Sequence, residues 1–266
     1  MANCDQSGTC TLTIDKHTTQ VTTAAWTPDG QYFITGTLEK EACNSEKRGQ
    51  LYLWNLESCQ MYRWAPDHRI QDLAISPDGQ KVVLISSQNA ICVYNFITRE
   101  EEYTINVAHR MTCISISRDS KHMLVNMAND EVHLIDIETA DIVRRYLGQP
   151  QDNYVIRSSF GGADEGLVVS GSSSKSPTTS PSQPVHLTAA SDSKVYIWHK
   201  ANGTLIETLE GHAYGCVNSV SWNPANPGMF ASGGDDRKVR MYVPPLPLSL
   251  PSPPPEIQLQ LPLHHL

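Results

Sequence analysis

Histidine, serine and aspartate, the side chains of hydrolytic catalytic triads, occur together near the C-terminal end of the chain. His212, Ser232 and Asp236 lie in one stretch that ends in the aromatic residue Tyr242. In a triad the histidine would take the serine proton, and the aspartate would orient the histidine. Related sets occur at two further places: Asp192 with Trp198, and His17 with Thr35 and Trp54. Because the sets recur at a repeat spacing with an aromatic member, we interpret them as structural rather than catalytic.

A short apolar motif returns five times and defines the repeat behind this recurrence. Its copies are Leu51–Asn55, Ile91–Asn95, Val132–Asp136, Val195–His199 and Val239–Val243. Successive copies lie about 40–45 residues apart, the period of WD40 propeller blades, except where a Ser/Pro-rich segment lengthens one interval. Turn sequences such as Thr27–Gly30 and Ser76–Gly79 precede the motif, and alternating strands flank them. A fourth strand follows in several repeats, best seen at Thr204–Leu209. A complete repeat thus has the four strands of one propeller blade.

The sequence thus resembles the WD40 family, which implies an all-β fold. We expect a WD40 β-propeller of about five blades plus the outer strand of a sixth at Thr9–Ile14, in an incomplete or imperfectly closed ring. The blades are placed at about residues 15–64, 65–106, 107–148, 149–210 and 211–243, so that the propeller spans residues 9–243. Residues 1–8, the Ser/Pro-rich insertion 172–185 and the Pro/Leu-rich tail 244–266 are expected to be disordered. We interpret the chain as the C-terminal part of a longer protein, and an open ring of five blades is the alternative.

The resemblance also assigns the recurring polar residues to the family's hydrogen-bonded His–Ser–Asp–Trp tetrad. In the fifth blade these are His212, Ser232, Asp236 and Tyr242, with Tyr in place of Trp. The fourth blade supplies Asp192 and Trp198. The first supplies His17, Thr35 and Trp54, with Arg48 at the aspartate position. The second blade has Gln88 at the aspartate position and Tyr94 at the tryptophan position, and the third has Asn129 and Ile135. These two blades lack the tetrad and must therefore be stabilised by packing.

The composition and the missing motifs exclude several classes of function. Lys and Arg number 20 against 28 Asp and Glu, and the net charge of −8 disfavours nucleic-acid binding. No apolar run approaches the ~20 residues of a membrane span. Seven cysteines without CxxC spacing indicate reduced thiols inside a cell rather than disulfides or a zinc site. The nucleophile-elbow, P-loop and HExxH motifs are absent, so we expect no enzyme activity, cofactor, metal or small-molecule substrate.

Several longer strings point to one branch of the family. These are Tyr154–Gly162, Leu167–Gly171, Asp192–Lys200 and Val217–Pro224. They are similar to the WD40 subunit of the GID/CTLH E3 ubiquitin-ligase complex, the family of WD repeat protein twenty-six and glucose-induced degradation protein seven. The similarity runs from about Asp15 to Tyr242, outside the insertion.

This resemblance implies a non-catalytic subunit that scaffolds the ligase, helps it to oligomerise and helps to recruit substrates for proteasomal degradation. The implied partners are other ligase subunits and degradation substrates, and the implied location is the cytoplasm, with the nucleus as a further site. Family members carry LisH, CTLH and CRA helical elements before the propeller, whereas no long helical pattern occurs in this chain. The alternative is a WD40 interaction scaffold of another intracellular complex.

Propellers usually bind partners through the loops and strand ends of one face. Aligning the blades places one residue of each just ahead of its inner strand: Gln20, Arg69, Arg110, Tyr154 and Cys216. A second set precedes the tetrad aspartate or its replacement: Lys47, Ser87, Ala128, Ser191 and Asp235. Because Arg and Tyr dominate interface hot spots, the leading candidates are Arg69, Arg110, Tyr154 and Tyr214, with Lys47 and Asp235 beside them. The alternative is that these side chains are simply solvated.

Overall fold

The computed structural model of the chain describes residues 13–17, 19–37, 49–57, 60–64, 69–151, 154–173 and 192–243. These residues form nineteen β-strands and one short 3-10 helix, Ala163–Glu165. The strands build five antiparallel sheets that follow one another along the chain. The predicted all-β, blade-like architecture is therefore confirmed.

Four sheets have four strands each, and every strand is hydrogen-bonded to the next along the chain. The first sheet contains β1 (Val21–Trp26), β2 (Tyr32–Thr37), β3 (Gln50–Asn55) and β4 (Gln60–Trp64). The second contains β5 (Ile70–Ile75), β6 (Lys81–Ser86), β7 (Ala90–Asn95) and β8 (Glu101–Asn106). The third contains β9 (Met111–Ile116), β10 (His122–Met127), β11 (Glu131–Asp136) and β12 (Ile142–Leu147). The fourth contains β13 (Ser158–Gly161), β14 (Leu167–Ser170), β15 (Lys194–His199) and β16 (Leu205–Glu210). The fifth has three described strands, β17 (Val217–Trp222), β18 (Phe230–Gly234) and β19 (Val239–Tyr242).

The turn between the first two strands of a blade is built by a hydroxyl group and an aspartate. In the first blade the Thr27 hydroxyl donates to Asp29 at 2.5 Å and accepts the backbone N–H of Tyr32 at 3.0 Å. Gly30 completes the turn with φ of 68°, a left-handed conformation that glycine adopts without steric strain. The second and third blades repeat the hydroxyl–aspartate bond at the same distance, in the pairs Ser76–Asp78 and Ser117–Asp119.

The apolar core lies between neighbouring blades. The middle strands are covered on both sides, which explains why β7 is a nearly continuous apolar run whose first five residues are all buried. The outer strands face solvent, and β12 has one buried residue, Tyr146. Tyr146 packs with Trp198, and both side chains are fully buried between the third and fourth blades.

The inner strands pack side by side in the order β1, β5, β9, β13 and β17. Within the described part of the chain, no comparable set of contacts joins β17 back to β1. The first and fifth blades also keep large apolar side chains in solvent, including Trp26, which is 55% exposed, and Met241, which is 68% exposed. We therefore detect no closure of the ring among these residues.

The structure contradicts some expectations from the sequence, and others concern residues outside the described part of the chain. Thr13 and Ile14, the end of the expected outer strand, have no regular secondary structure. The first two residues of the expected disordered insertion, Ser172 and Ser173, are fully buried. They continue the blade, because the backbone N–H of Val217 donates to the Ser172 carbonyl at 2.9 Å. Residues 1–12, 174–191 and 244–266 lie outside the described part, as do Lys47 and Arg48.

Candidate protein-interaction face

One backbone hydrogen bond recurs at the same end of three blades. The N–H groups of Ser87, Ala128 and Asp235 donate to the carbonyls of Arg69, Arg110 and Cys216, at 3.0, 2.8 and 3.0 Å respectively. The two sets of residues aligned from the sequence are thus neighbours in these blades. Because all sheets share one strand order and their inner strands pack in succession, these residues mark one face of the protein. We call it the upper face.

The arginine and tyrosine candidates lie on the upper face with their side chains available. Tyr154 is 42% exposed and Tyr214 is 54% exposed. Arg110 is exposed and Arg69 is half-buried. No hydrogen bond or ion pair ties any of these four side chains to another described residue. Docking a partner on them would therefore break no bond within this part of the protein.

Asp235 is less available, although it is exposed. One carboxylate oxygen accepts the backbone N–H of Cys216 at 2.8 Å, and the other accepts the amide of Asn218 at 2.7 Å. These hydrogen bonds lower the pKa of Asp235 below its usual value. Asp235 therefore holds its own loop together. At the position equivalent to Arg110, the fifth blade has a buried residue, Cys216.

The polar set of the fifth blade forms a buried hydrogen-bonded chain. His212 Nδ1 lies 2.6 Å from Asp236 Oδ1, and His212 Nε2 lies 2.8 Å from Ser232 Oγ. The Ser232 hydroxyl donates in turn to Tyr242 Oη at 3.4 Å. Burial raises the pKa of Asp236, but hydrogen bonds from His212 and from the backbone outweigh this and bring it to about 2. The ionised carboxylate thus ties the loop before β17 to the turn before β19.

The first blade contains a shorter version of the same chain. His17 Nε2 lies 3.2 Å from Thr35 Oγ1, and the Trp54 indole N–H donates to that oxygen at 2.8 Å. Partial burial lowers the pKa of His17. The His17 and Trp54 rings also pack edge to face, with their centroids 5.2 Å apart.

The fourth blade departs from the expected arrangement, because Asp192 and Trp198 have separate partners. The Trp198 indole N–H donates to the carbonyl of Leu147 in the third blade at 3.1 Å. The Asp192 carboxylate accepts the Tyr196 hydroxyl at 2.7 Å. The residues ahead of this blade's inner strand, 148–157, include Gln149 and Gln151 but no histidine. The histidine that links serine and aspartate in the fifth blade therefore has no counterpart at this place in the sequence.

The sequence reasoning missed a second polar centre, on the inner strands. Asp72 on β5 is 4% exposed and accepts the Thr23 hydroxyl of β1 at 2.8 Å. Its other oxygen accepts the backbone N–H of Ile114 on β9 at 3.3 Å and lies 3.4 Å from Arg157 Nη1, just before β13. One carboxylate therefore joins four blades. Its only signal in the sequence was an acidic residue inside a strand whose other residues, apart from Gln71, are apolar.

The described residues contain neither a metal-ion cluster nor a membrane-spanning helix. No group of three or more His, Cys, Asp or Glu side chains there could hold a metal ion. The helical part of these residues is a single 3-10 turn, and no helix among them is long and apolar enough to cross a membrane.

Comparison with known proteins agrees with this geometry. The family model described as WD domain, G-beta repeat, matches residues 8–55 and 203–242. The chain contains WD40 repeats. The matched segments contain both hydrogen-bonded chains, that of His17 in the first blade and that of His212 in the fifth.

The resemblance to the GID-type WD40 proteins is confirmed over most of the chain. The chain is 35% identical over 234 residues to the GID complex subunit 7 of Schizosaccharomyces pombe, which covers 85% of this chain and 40% of that protein. It is 33% identical over 241 residues to a WD repeat-containing protein 26 homolog of Arabidopsis thaliana. This alignment covers 89% of the present chain and 36% of the Arabidopsis protein. For the WD repeat-containing protein 26 homolog of Drosophila melanogaster, the identity is 32% over 221 residues. These residues cover 83% of the present chain and 30% of the Drosophila protein. The chain therefore spans less than half the length of these curated relatives.

Proposed function

We propose that this protein is a non-catalytic scaffold and substrate-recruitment subunit of a GID/CTLH-type E3 ubiquitin ligase that promotes proteasomal degradation. The observation that carries the proposal is the similarity to GID complex subunit 7 over 85% of the chain. Its partners would be other ligase subunits and degradation substrates. It would act in the cytoplasm, and a nuclear pool is compatible with the same role.

The geometry supports binding rather than catalysis. A serine nucleophile must be reached by its substrate, but Ser232 is 2% exposed and His212 is 8% exposed. The Ser232 hydroxyl also donates to Tyr242 within the blade. The unengaged side chains of the upper face are instead Arg110, Tyr154 and Tyr214, which are exposed, and Arg69, which is half-buried. Arginine and tyrosine are enriched in interface hot spots.

The test is capture of partners from cells by the tagged 266-residue chain, followed by mass spectrometry. We expect GID/CTLH helical and RING subunits to co-purify. Arg110→Glu should reduce capture of at least one partner by roughly 30-fold, as expected for a hot spot of about 2 kcal/mol. Its free energy of unfolding should change by no more than about 0.5 kcal/mol, as for other surface substitutions.

Arg118→Glu is the matched control for the charge reversal. Arg118 is exposed in the turn between β9 and β10, at the opposite end of the same inner strand. It should capture partners as the unmodified chain does. Co-purification of a different complex would assign the propeller to another assembly, and equal capture by Arg110→Glu would remove Arg110 from the interface.

A further inference from the structure

The fifth blade keeps one broad side in solvent. Phe230 packs against the fourth blade, so Ala231 and Gly233, which alternate with it along β18, lie on the other side of the sheet. Val239 and Met241 of β19 pair in register with these two residues and are 77% and 68% exposed. We call this side the fifth-blade face. It is the side on which a following blade would pack.

The first blade keeps its opposite side in solvent. Ile34 of β2 packs against the second blade, so Phe33 lies on the side that a preceding blade would cover. Phe33 contacts Trp26, with the ring centroids 5.2 Å apart, and Trp26 is 55% exposed. We call this side the first-blade face.

A glycine near the end of the second strand admits the following blade at two junctions inside the chain. A Cβ atom at Gly36 would lie 2.8 Å from Ile70 Cγ2, and one at Gly171 would lie 2.9 Å from Val217 Cβ. Ile70 and Val217 are the first residues of β5 and β17. At both junctions, therefore, a β-branched residue that begins an inner strand packs against the glycine backbone of the blade before it.

Gly233 and Val21 are the two halves of a third such pair that do not meet within the chain. Gly233 occupies the place of Gly36 and Gly171, three residues after the one that pairs with the tryptophan position. A Cβ atom at Gly233 would meet no described atom within 4 Å. Val21 begins β1 but is 42% exposed. The fifth-blade face thus offers the slot, and the first blade offers the side chain that fits it.

We propose that the first-blade face of one copy of this chain packs against the fifth-blade face of a second copy, as neighbouring blades pack within the chain. The contact removes exposed apolar side chains such as Trp26 and Met241 from water, which is favourable. Because the two faces differ, the contact is heterologous, and each copy has one face of each kind. The inference does not rest on the ligase assignment, since both faces belong to this chain.

Sedimentation velocity of the 266-residue chain tests this self-association. We expect the mean mass to rise between ~1 and ~100 μM, the range of modest interfaces. Gly233→Glu and Val21→Glu place a charge in the apolar contact and should each raise its Kd at least ~tenfold. Val143→Glu is the matched control, because Val143 is 43% exposed on the outer strand β12 and belongs to neither face. A monomer throughout this range, or equal effects of all three substitutions, would overturn the proposal.

Mixing the two variants tests whether two different faces meet. Gly233→Glu retains the first-blade face and Val21→Glu retains the fifth-blade face. Each alone should stay monomeric where the unmodified chain associates, whereas an equimolar mixture should form dimers and nothing larger. Both variants should melt within ~2 °C of the unmodified chain, as surface substitutions do. A mixture that stays monomeric although both variants melt normally would refute the contact, and so would a variant that dimerises by itself.

Cysteine cross-linking separates contact between copies from closure of one chain on itself. The Cβ–Cβ distances of the internal pairs, 3.4 Å at Gly36 and 2.9 Å at Gly171, lie near the ~3.5–4.5 Å of disulfides. A mixture of Val21→Cys and Gly233→Cys chains should therefore give a disulfide-linked dimer on mild oxidation, whereas Val143→Cys with Gly233→Cys should not. If the mixture yields no dimer and a chain with both cysteines cross-links only within itself, one ring closes and the second copy is excluded.

Discussion

The carboxylate of Asp72 offers the sharpest test of how the blades are held together. It receives hydrogen bonds from Thr23, Leu73 and Ile114 at 2.8, 3.0 and 3.3 Å, and it pairs with Arg157 at 3.4 Å. We expect Asp72→Ala to destabilise the protein, because it leaves donors from neighbouring inner strands without their acceptor. The side chain of Arg157 is 50% exposed, so water can replace its bond, and it contributes little.

The magnitude follows from the three remaining bonds. Hydrogen bonds to charged groups contribute about 1.5–3 kcal/mol each, and removal of the buried charge itself offsets part of their loss. We therefore expect the free energy of unfolding to fall by about 3 kcal/mol, or Tm by ~6–12 °C for a domain of this size. Asp72→Asn should cost about half as much, because its retained oxygen can still accept from Thr23 and Leu73.

Urea unfolding followed by tryptophan fluorescence measures these values. A double-mutant cycle of Asp72→Ala with Thr23→Val should give a coupling energy of about 1 kcal/mol, since the two side chains are in contact. Asp141→Ala is the control, because Asp141 is an exposed acidic residue. It should change stability by no more than about 0.5 kcal/mol. A loss below about 1 kcal/mol for Asp72→Ala, or no coupling with Thr23, would refute the idea that Asp72 joins the blades.

Two further predictions concern the fourth and fifth blades. The folded pKa of Asp236 is about 2, below its ordinary value of 3.8, so its stabilising contribution is present above pH 3.8 and is lost as the pH falls towards 2. Acid titrations of unfolding should therefore show a shallower loss of stability over this interval for Asp236→Asn, and an unchanged slope would contradict the assignment. A Cβ atom at Gly161 would lie 2.0 Å from the Trp222 ring, so Gly161→Ala should lower stability by about 1–3 kcal/mol or more through overpacking. Adding Trp222→Leu should restore part of this loss in thermal denaturation, and the absence of any rescue would point to a cause other than the clash.

The features that the sequence revealed are those with local causes. Alternating apolar residues and Pro-Asp-Gly turns specify strands and hairpins within one blade, so the repeat could be read without knowing how blades pack. The polar set of His212, Ser232 and Asp236 was recognisable for the same reason, since its members belong to one blade and recur with the repeat.

The features that only the tertiary structure decided depend on contacts between blades. The Trp198 indole binds the Leu147 carbonyl of the preceding blade, although its spacing from Asp192 imitates that of the fifth blade. Asp72 meets partners from three other blades. The buried amide of Gln149 has no hydrogen-bond partner within the described part of the chain. Which of these side chains meet is set by the packing angle and separation of neighbouring sheets. Periodicity along the chain specifies which face of a strand is buried, but not which residue of another sheet lies opposite it.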